Sequence, residues 1–558
     1  MSLPGSSGST GTPSAFGRPA VWWSAVAIVL AAGVGIRVTL MPRIGHVPDT
    51  VAFYEWASDA ARQSVASLYL LPATAQITLM NYPPVYVYLL SALPPLHDAL
   101  YDGPAWSSAA VSGGLRREVL RLVYGDFASR VRTAGVASRP IGAKAYADTV
   151  ADMEWAGLGD EFRNAQITTY GELAAFFGKH IVAGPQLGAA HRSVLVLLKL
   201  PAVLADVALA ALLFAVAWRW SGRWPAVLAA AGVFLSPVVI HDSAYWGQVD
   251  SIPTALVVTC LLALISRAWW LVSLLLVVAL LVKPQAIVIA PVVGAVVLVT
   301  LLQQRRGKSG GDRRDVARLA AGLATGCLAV VAILAPIVRG GALAALADSY
   351  TSLGSQYPYL TLRAFNFWWF FTDGNPITGF EATPRDDVAT SFGVTPKAIG
   401  FAMLLAAVGF VVAAIVKRRG ERATVVLGAL MVAMAFFCLP TEIHERYGYP
   451  LSPLAIVAAL AVSRRYWWVA AASALTHFAN AFLGGMSAWP GGAPTSGVVL
   501  FLASMPTLTY AIAAVNLALF ALVAADLYRL ACRAEFTGAH PPPVTTRHGG
   551  TAAPRARR

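Results

Sequence analysis

Charge is scarce in this chain. Asp, Glu, Lys and Arg make up 13% of its 558 residues, against 57% hydrophobic residues and a mean hydropathy of +0.63. A soluble domain carries roughly a quarter charged residues. The shortfall excludes a soluble globular protein and leaves a polytopic membrane protein. Cysteine is scarce too. Cys260, Cys327, Cys438 and Cys532 lie in or at the ends of apolar segments, at spacings that make neither a disulfide framework nor a zinc site, so they read as small buried hydrophobes. No Walker loop, nucleotide-binding glycine motif or zinc signature is convincing, which argues against an energy-coupled pump. No cleavable signal is evident: residues 1–19 are Gly/Ser/Pro-rich and expected to be disordered, and the apolar run after them is long enough to span. The net charge of +14 would suit nucleic acid, but the positive residues are spread through short loops between apolar runs. Nucleic acid is therefore not an expected partner.

What is present is a succession of apolar runs. A spanning helix takes roughly 20 apolar residues, and the sequence predicts spans at 20–41, 191–217, 224–240, 252–266, 269–283, 286–303, 316–338, 396–416, 423–440, 449–463, 466–486 and 506–530. This is an all-α fold with about twelve transmembrane helices. With the N-terminus inside, the cytoplasmic loops hold Arg219/Arg223, Arg267, the run Arg305 to Arg318, Lys417/Arg418/Arg419/Arg422, Arg464/Arg465 and Arg529/Arg533. The short loops at 241–251 and 487–505 hold no Lys or Arg and fall outside. The same threading puts 42–190 and 339–395 outside as large extracytoplasmic loops. Within the first, Asn81-Tyr82-Pro83-Pro84 leads into an apolar stretch too short for a span, expected as an interfacial or re-entrant helix, and 98–190 reads as a helical insertion. Trp368, Trp369 and Phe370 in the second suit an aromatic belt. Residues 534–558 are expected to be a disordered basic tail that at most touches anionic lipid.

Nearly every ionisable residue beside a span falls at that outer face, and charges near hydrocarbon are expensive enough to mark a functional site. Asp49 reads either as a helix N-cap or as a general base. Lys199 and Asp206, seven apart, read as an internal pair or as a cation (Lys199) offered to an anionic head group. In the loop 241–251, Tyr245 and Trp246 are expected as interface anchors, while His241, Gln248 and Asp250 are not so explained. Lys283, before Pro284-Gln285, reads as a snorkelling side chain or as a lipid-phosphate ligand, and an uncompensated lysine at that depth costs about 3 kcal/mol, so a partner is expected. Arg446 in His444-Glu445-Arg446-Tyr447 suits a phosphate, or pairs with Glu445.

These segments, in this order, resemble the GT-C superfamily of polyprenyl-phosphate-sugar-dependent glycosyltransferases. Bacterial mannosyltransferases related to GPI-anchor mannosyltransferases, and the dolichyl-phosphate-glucose glucosyltransferases, are the most similar groups. The resemblance rests on Asp49…Trp56, Tyr82-Pro83-Pro84, Lys199-Leu200-Pro201…Ala205-Asp206, Lys283-Pro284-Gln285…Ala290-Pro291, Ala364-Phe365-Asn366-Phe367-Trp368 and His444-Glu445-Arg446. It covers most of 20–465. It implies that Asp49 is the catalytic base and that His444 and Arg446 serve the donor phosphate. Relatives often carry a second acidic residue two positions after that aspartate, where this chain has Val51; no divalent metal is implied.

The expected function is hexose transfer, mannose first and glucose second, from a polyprenyl-phosphate donor to a glycan or glycolipid acceptor, with inversion, at the extracytoplasmic face of a cell membrane. Lys199, Lys283, His444 and Arg446 would hold the phosphate. Tyr82, His241, Gln248, Asp250, Gln285 and Glu445 would shape the sugar or acceptor pocket. No cofactor besides the lipid-linked donor is expected. A lipid-linked sugar flippase or transporter is the alternative, disfavoured because no internal repeat is evident.

Overall fold

The computed structural model describes residues 19–71, 80–124, 127–182, 189–305, 312–352, 357–376, 383–487, 501–502 and 504–532. The expectations for residues 1–18, for most of the loop 487–505, for part of the basic run after Arg305 and for the C-terminal tail lie outside them. Every regular element among the described residues is helical, joined in places by isolated β-bridges.

A helix occupies each of the twelve predicted stretches, but they are not twelve equal spans. Six helices are long and apolar enough to cross a membrane by themselves, and a bent pair, Arg223–Phe234 with Pro237–Trp246, makes up to seven. Ser251–Ile265, Trp269–Val282, Arg422–Cys438 and Leu451–Ala461 have 15, 14, 17 and 11 residues. At 1.5 Å per residue they reach only about 16 to 26 Å, short of a hydrocarbon core of about 30 Å. Prolines set several of these ends. Pro284 stops one helix at Val282, and Pro450 precedes the start at Leu451. Tyr466–Ser487 is long enough but carries Ser473, Thr476, His477 and Asn480.

The Arg422–Cys438 helix is buried along nearly its whole length, packed by Pro396–Lys417, Leu451–Ala461 and Pro506–Cys532. Around it the main core runs through Val258, Leu261, Met431, Phe437 and Ile456. Cys260 and Cys438 are buried as expected. Cys327 and Cys532 are exposed, a correction that follows from their place on apolar helices that are mostly unburied, with only 17% and 28% of their apolar windows inside the protein.

The region between the first two long apolar helices is a second layer. Helix Val47–Arg62 presents Val51, Phe53, Trp56 and Ala60 to Pro84–Ser91, whose first residues are Pro83-Pro84 at the cap, where a missing N–H costs nothing. Pro84–Ser91 and Leu93–Leu100 have eight residues each and lie against Val47–Arg62. The insertion beyond them is helical with a small core of its own, around Met153, Phe162, Phe176 and Phe177. It is tied back by Arg116, whose guanidinium meets Glu55 at 2.9 Å.

Candidate functional site

Ends of several of these helices converge on Asp49. His46 is the N-cap residue of its helix and uses no side-chain cap, so Asp49 is not the cap but an acidic residue in the first turn. Its Oδ2 accepts hydrogen bonds from Trp246 Nε1 and Gln248 Nε2, both at 2.6 Å, and lies 3.1 Å from His46 Nδ1. Oδ1 has no hydrogen-bond partner among the described residues, and the side chain is 23% exposed. Burial alone would raise this carboxyl. The His46 ring, the Arg446 charge and the indole hydrogen bond outweigh it and hold Asp49 well below the usual carboxylate range.

Gln248 is fixed from its other end, since Tyr82 OH donates to its Oε1 at 3.0 Å. Burial pushes the Tyr82 phenol up, so it stays a donor. Trp246 is no interface anchor: it is buried, stacks on His46 with centroids 4.7 Å apart, and sits where a Cβ on Gly485 would strike its ring at 2.3 Å. The loop that carries Trp246 and Gln248 turns at Gly247, whose φ of +87° favours glycine.

Two ion pairs complete the cluster. Lys283 Nζ lies 2.5 Å from Asp250 Oδ1, both side chains buried, so the expected partner is a carboxylate and the lysine does not snorkel. Arg446 Nη1 donates to Glu445 Oε1 at 2.8 Å while its Nε faces Asp250 Oδ2 at 3.8 Å. Its guanidinium also lies 5.5 Å from the Trp246 ring and 5.9 Å from that of Tyr447. Burial opposes the Glu445 charge, but Arg446 and His444 hold its carboxyl well below the usual range. Burial and the neighbouring Arg446 depress His444, which is neutral at pH 7. Tyr447 is pushed up to about 12 by burial and stands beside Gln285, whose buried Oε1 has no hydrogen-bond partner among the described residues.

Lys199 does not belong to this group. Its three N–H bonds go to Arg43 O at 2.6 Å, Ala244 O at 3.1 Å and Tyr245 O at 2.6 Å. An ammonium has three donors and no more, so the expected phosphate contact is replaced by a clamp on the 241–246 segment. Nor does Lys199 pair with Asp206. That carboxylate pairs with Arg37, at 2.8 Å, and also accepts from Ser243, Ser251 and Tyr449. His241 is near but separate, boxed by Tyr245, Trp246, Phe478 and Phe482, and among the described residues neither ring nitrogen has a hydrogen-bond partner. Trp368 and Trp369 are buried rather than belted; Trp368 Nε1 donates to Leu439 O at 2.7 Å, while Phe370 remains exposed.

The site thus joins Asp49, Tyr82, Gln248, Asp250, Lys283, His444, Glu445 and Arg446, adds His46, Trp246 and Tyr447, and leaves out Lys199. His46 had a readable signal, its three-residue spacing before Asp49 on one helix face. Among the described residues no three His, Cys, Asp or Glu side chains converge as a metal cage. A carboxylate with one oxygen fixed and one open, close to the Arg446 charge, can accept a proton next to an anion. No protein-family model matches the chain, and no curated protein matches it.

Proposed function

We propose that the protein is a GT-C-type glycosyltransferase of about twelve membrane passes. It moves a hexose, mannose first and glucose second, from a polyprenyl-phosphate donor to a hydroxyl of a lipid-linked or cell-envelope acceptor at the extracytoplasmic face. One observation carries the reading: Asp49 Oδ2 is fixed by Trp246 and Gln248 with His46 beside it, leaving Oδ1 open within a cluster that also holds Arg446 and Lys283.

In this mechanism Asp49 Oδ1 takes the acceptor hydroxyl proton as the oxygen bonds to C1. The C1–O bond to the phosphate breaks on the opposite face, inverting the centre, and polyprenyl phosphate leaves. Arg446 and Lys283 stabilise the charge that develops on it. The low proton affinity of the free Asp49 suits this order of events. Arg446 is one of the charges that depress it, so a phosphate bound at Arg446 cancels part of that field and raises Asp49 toward the range of a useful base. Tyr82 and Gln248 line the sugar or acceptor side.

The test is purified protein in lipid with radiolabelled polyprenyl-phosphate-mannose or polyprenyl-phosphate-glucose and an acceptor membrane extract. Transfer should fall by roughly 10² to 10⁴ in Asp49→Asn, the usual range for a lost general base. Wild-type transfer by the variant would remove Asp49 from the role. Donor carried across the bilayer intact, with acceptor supplied, would favour the transporter.

A further inference from the structure

We propose that a groove between the helices Pro19–Leu40, Ala189–Ser221 and Arg223–Phe234 holds one acyl chain of an anionic phospholipid, with Arg223 on its phosphate. The groove is separate from the cluster around Asp49, and the inference does not depend on the reaction carried out there.

The three helices enclose a cavity of about 230 Å³. Its walls are apolar: Val26 and Leu30 come from the first helix, Val207 and Phe214 from the second, Val227 and Phe234 from the third. Leu30 is 53% exposed and Val207 42%, so the groove opens sideways. The first helix turns most of its apolar surface away from the protein on that side, with only 17% of its apolar window buried. An apolar void forfeits dispersion contacts along its walls, and one of roughly 150 Å³ already takes up benzene. A larger one open to a bilayer takes up hydrocarbon.

The two ends of the groove differ in chemistry. At one end the Arg37 guanidinium lies 4.2 Å from the Phe234 ring centroid and donates to the Phe234 carbonyl at 2.7 Å. Gly33 makes room for that ring, since a Cβ there would strike it at 2.2 Å. Because Arg37 is committed to Asp206 at 2.8 Å, this end offers no free charge. At the other end Trp22 packs on Trp218, centroids 4.9 Å apart, and on Phe214, at 6.1 Å. Its indole N–H donates to the Arg223 carbonyl at 3.0 Å, which fixes Arg223 at this mouth. Trp218 and Trp23 are exposed there, as rings at the head-group level are. Arg223 stands four, seven and eleven residues before Val227, Ala230 and Phe234, on the stripe that lines the groove. Its side chain is exposed and makes no hydrogen bond or ion pair among the described residues. From Arg223 to Phe234 the helix rises about 16 Å, close to one leaflet's half of a hydrocarbon core of about 30 Å. A lipid whose phosphate meets Arg223 therefore runs its chain the length of the groove and ends under Phe234. A head group with net negative charge is favoured, because a choline would bring a second cation beside the arginine.

The experiment is native mass spectrometry of the full chain in detergent, titrated with dioleoylphosphatidylglycerol or dioleoylphosphatidylcholine. The wild type should hold one phosphatidylglycerol about 5-fold more tightly than phosphatidylcholine, the worth of one arginine near a membrane surface, and Arg223→Gln should erase that preference. Ala211→Trp fills the groove from its exposed wall and should abolish retention of both lipids in a chain that stays monodisperse. Arg223→Gln alters only an exposed side chain, so it decides the question if the tryptophan variant does not fold. Equal retention of the two lipids by the wild type, an undiminished preference in Arg223→Gln, undiminished retention in a folded Ala211→Trp, or displacement of the phospholipid by an equal concentration of polyprenyl phosphate would overturn the inference.

Discussion

Replacing Asp206 by asparagine removes a charge from a fully buried ion pair. Arg37 and Asp206 are 2% and 0% exposed. Oδ2 of Asp206 accepts from Arg37 Nε at 3.2 Å, Arg37 Nη2 at 2.8 Å and Ser243 Oγ at 2.6 Å; Oδ1 accepts from Ser251 Oγ at 2.6 Å and Tyr449 OH at 3.0 Å. An asparagine would turn its oxygen to Arg37, which can only donate, and its amide to the two hydroxyls, which can also accept. Most hydrogen bonds then survive, and the loss is that of a buried counter-ion, about 3 to 5 kcal/mol. If about 3 kcal/mol of it falls on the unfolding barrier, the half-life of the folded protein in detergent shortens about 100-fold. The assay is the monodisperse fraction left after timed heating, read by size-exclusion chromatography. Arg37→Met with Asp206→Leu should recover much of the loss, because no unpaired charge remains. A single mutant as durable as the wild type, or a double mutant no better than the single, would refute the reasoning.

Other outcomes follow from the same geometry. Lys199→Met strands three backbone carbonyls, so it should shorten thermal survival while leaving polyprenyl-phosphate affinity within about twofold, whereas Lys283→Met should impair binding. Gly485→Ala drives a methyl group into Trp246, 2.3 Å from its ring, and should cost transfer activity together with a shift in tryptophan fluorescence; an unchanged spectrum would contradict the packing. Asp49 and Glu445 are both held below the usual carboxylate range, so the unfolded chain binds more protons than the folded one once the pH drops toward about 4. Their contribution is complete above that value and disappears on further acidification. Unfolding should accelerate in acid, and Asp49→Asn or Glu445→Gln should flatten the dependence.

Asp49, Lys283 and His444-Glu445-Arg446 were legible because burial of charge beside hydrocarbon is costly wherever it occurs, and hydropathy alone locates it. Their partners were not. Trp246 reaches Asp49 across 197 positions and Asp206 reaches Arg37 across 169, and nothing local in sequence marks such pairs; Trp246 therefore looked like an interface anchor and Lys199 like the companion of Asp206. The helices were legible as apolar runs, but an apolar run does not report its own continuity. Pro284 and Pro450 shorten helices that a hydropathy window reads as full spans.

The ion pairs also bear on how such a chain enters a membrane. Asp250 meets Lys283, 33 positions later, and Glu445 meets its neighbour Arg446. Arg37 and Asp206 likewise both precede residue 305. Each portion of the chain therefore reaches the bilayer with its own charges already matched, and the contact between Arg446 and Asp250, at 3.8 Å the longest in the cluster, forms only when the portions dock. Two fragments divided between 305 and 312 should, on this logic, each be accepted by the translocation machinery and reassemble the cluster when expressed together.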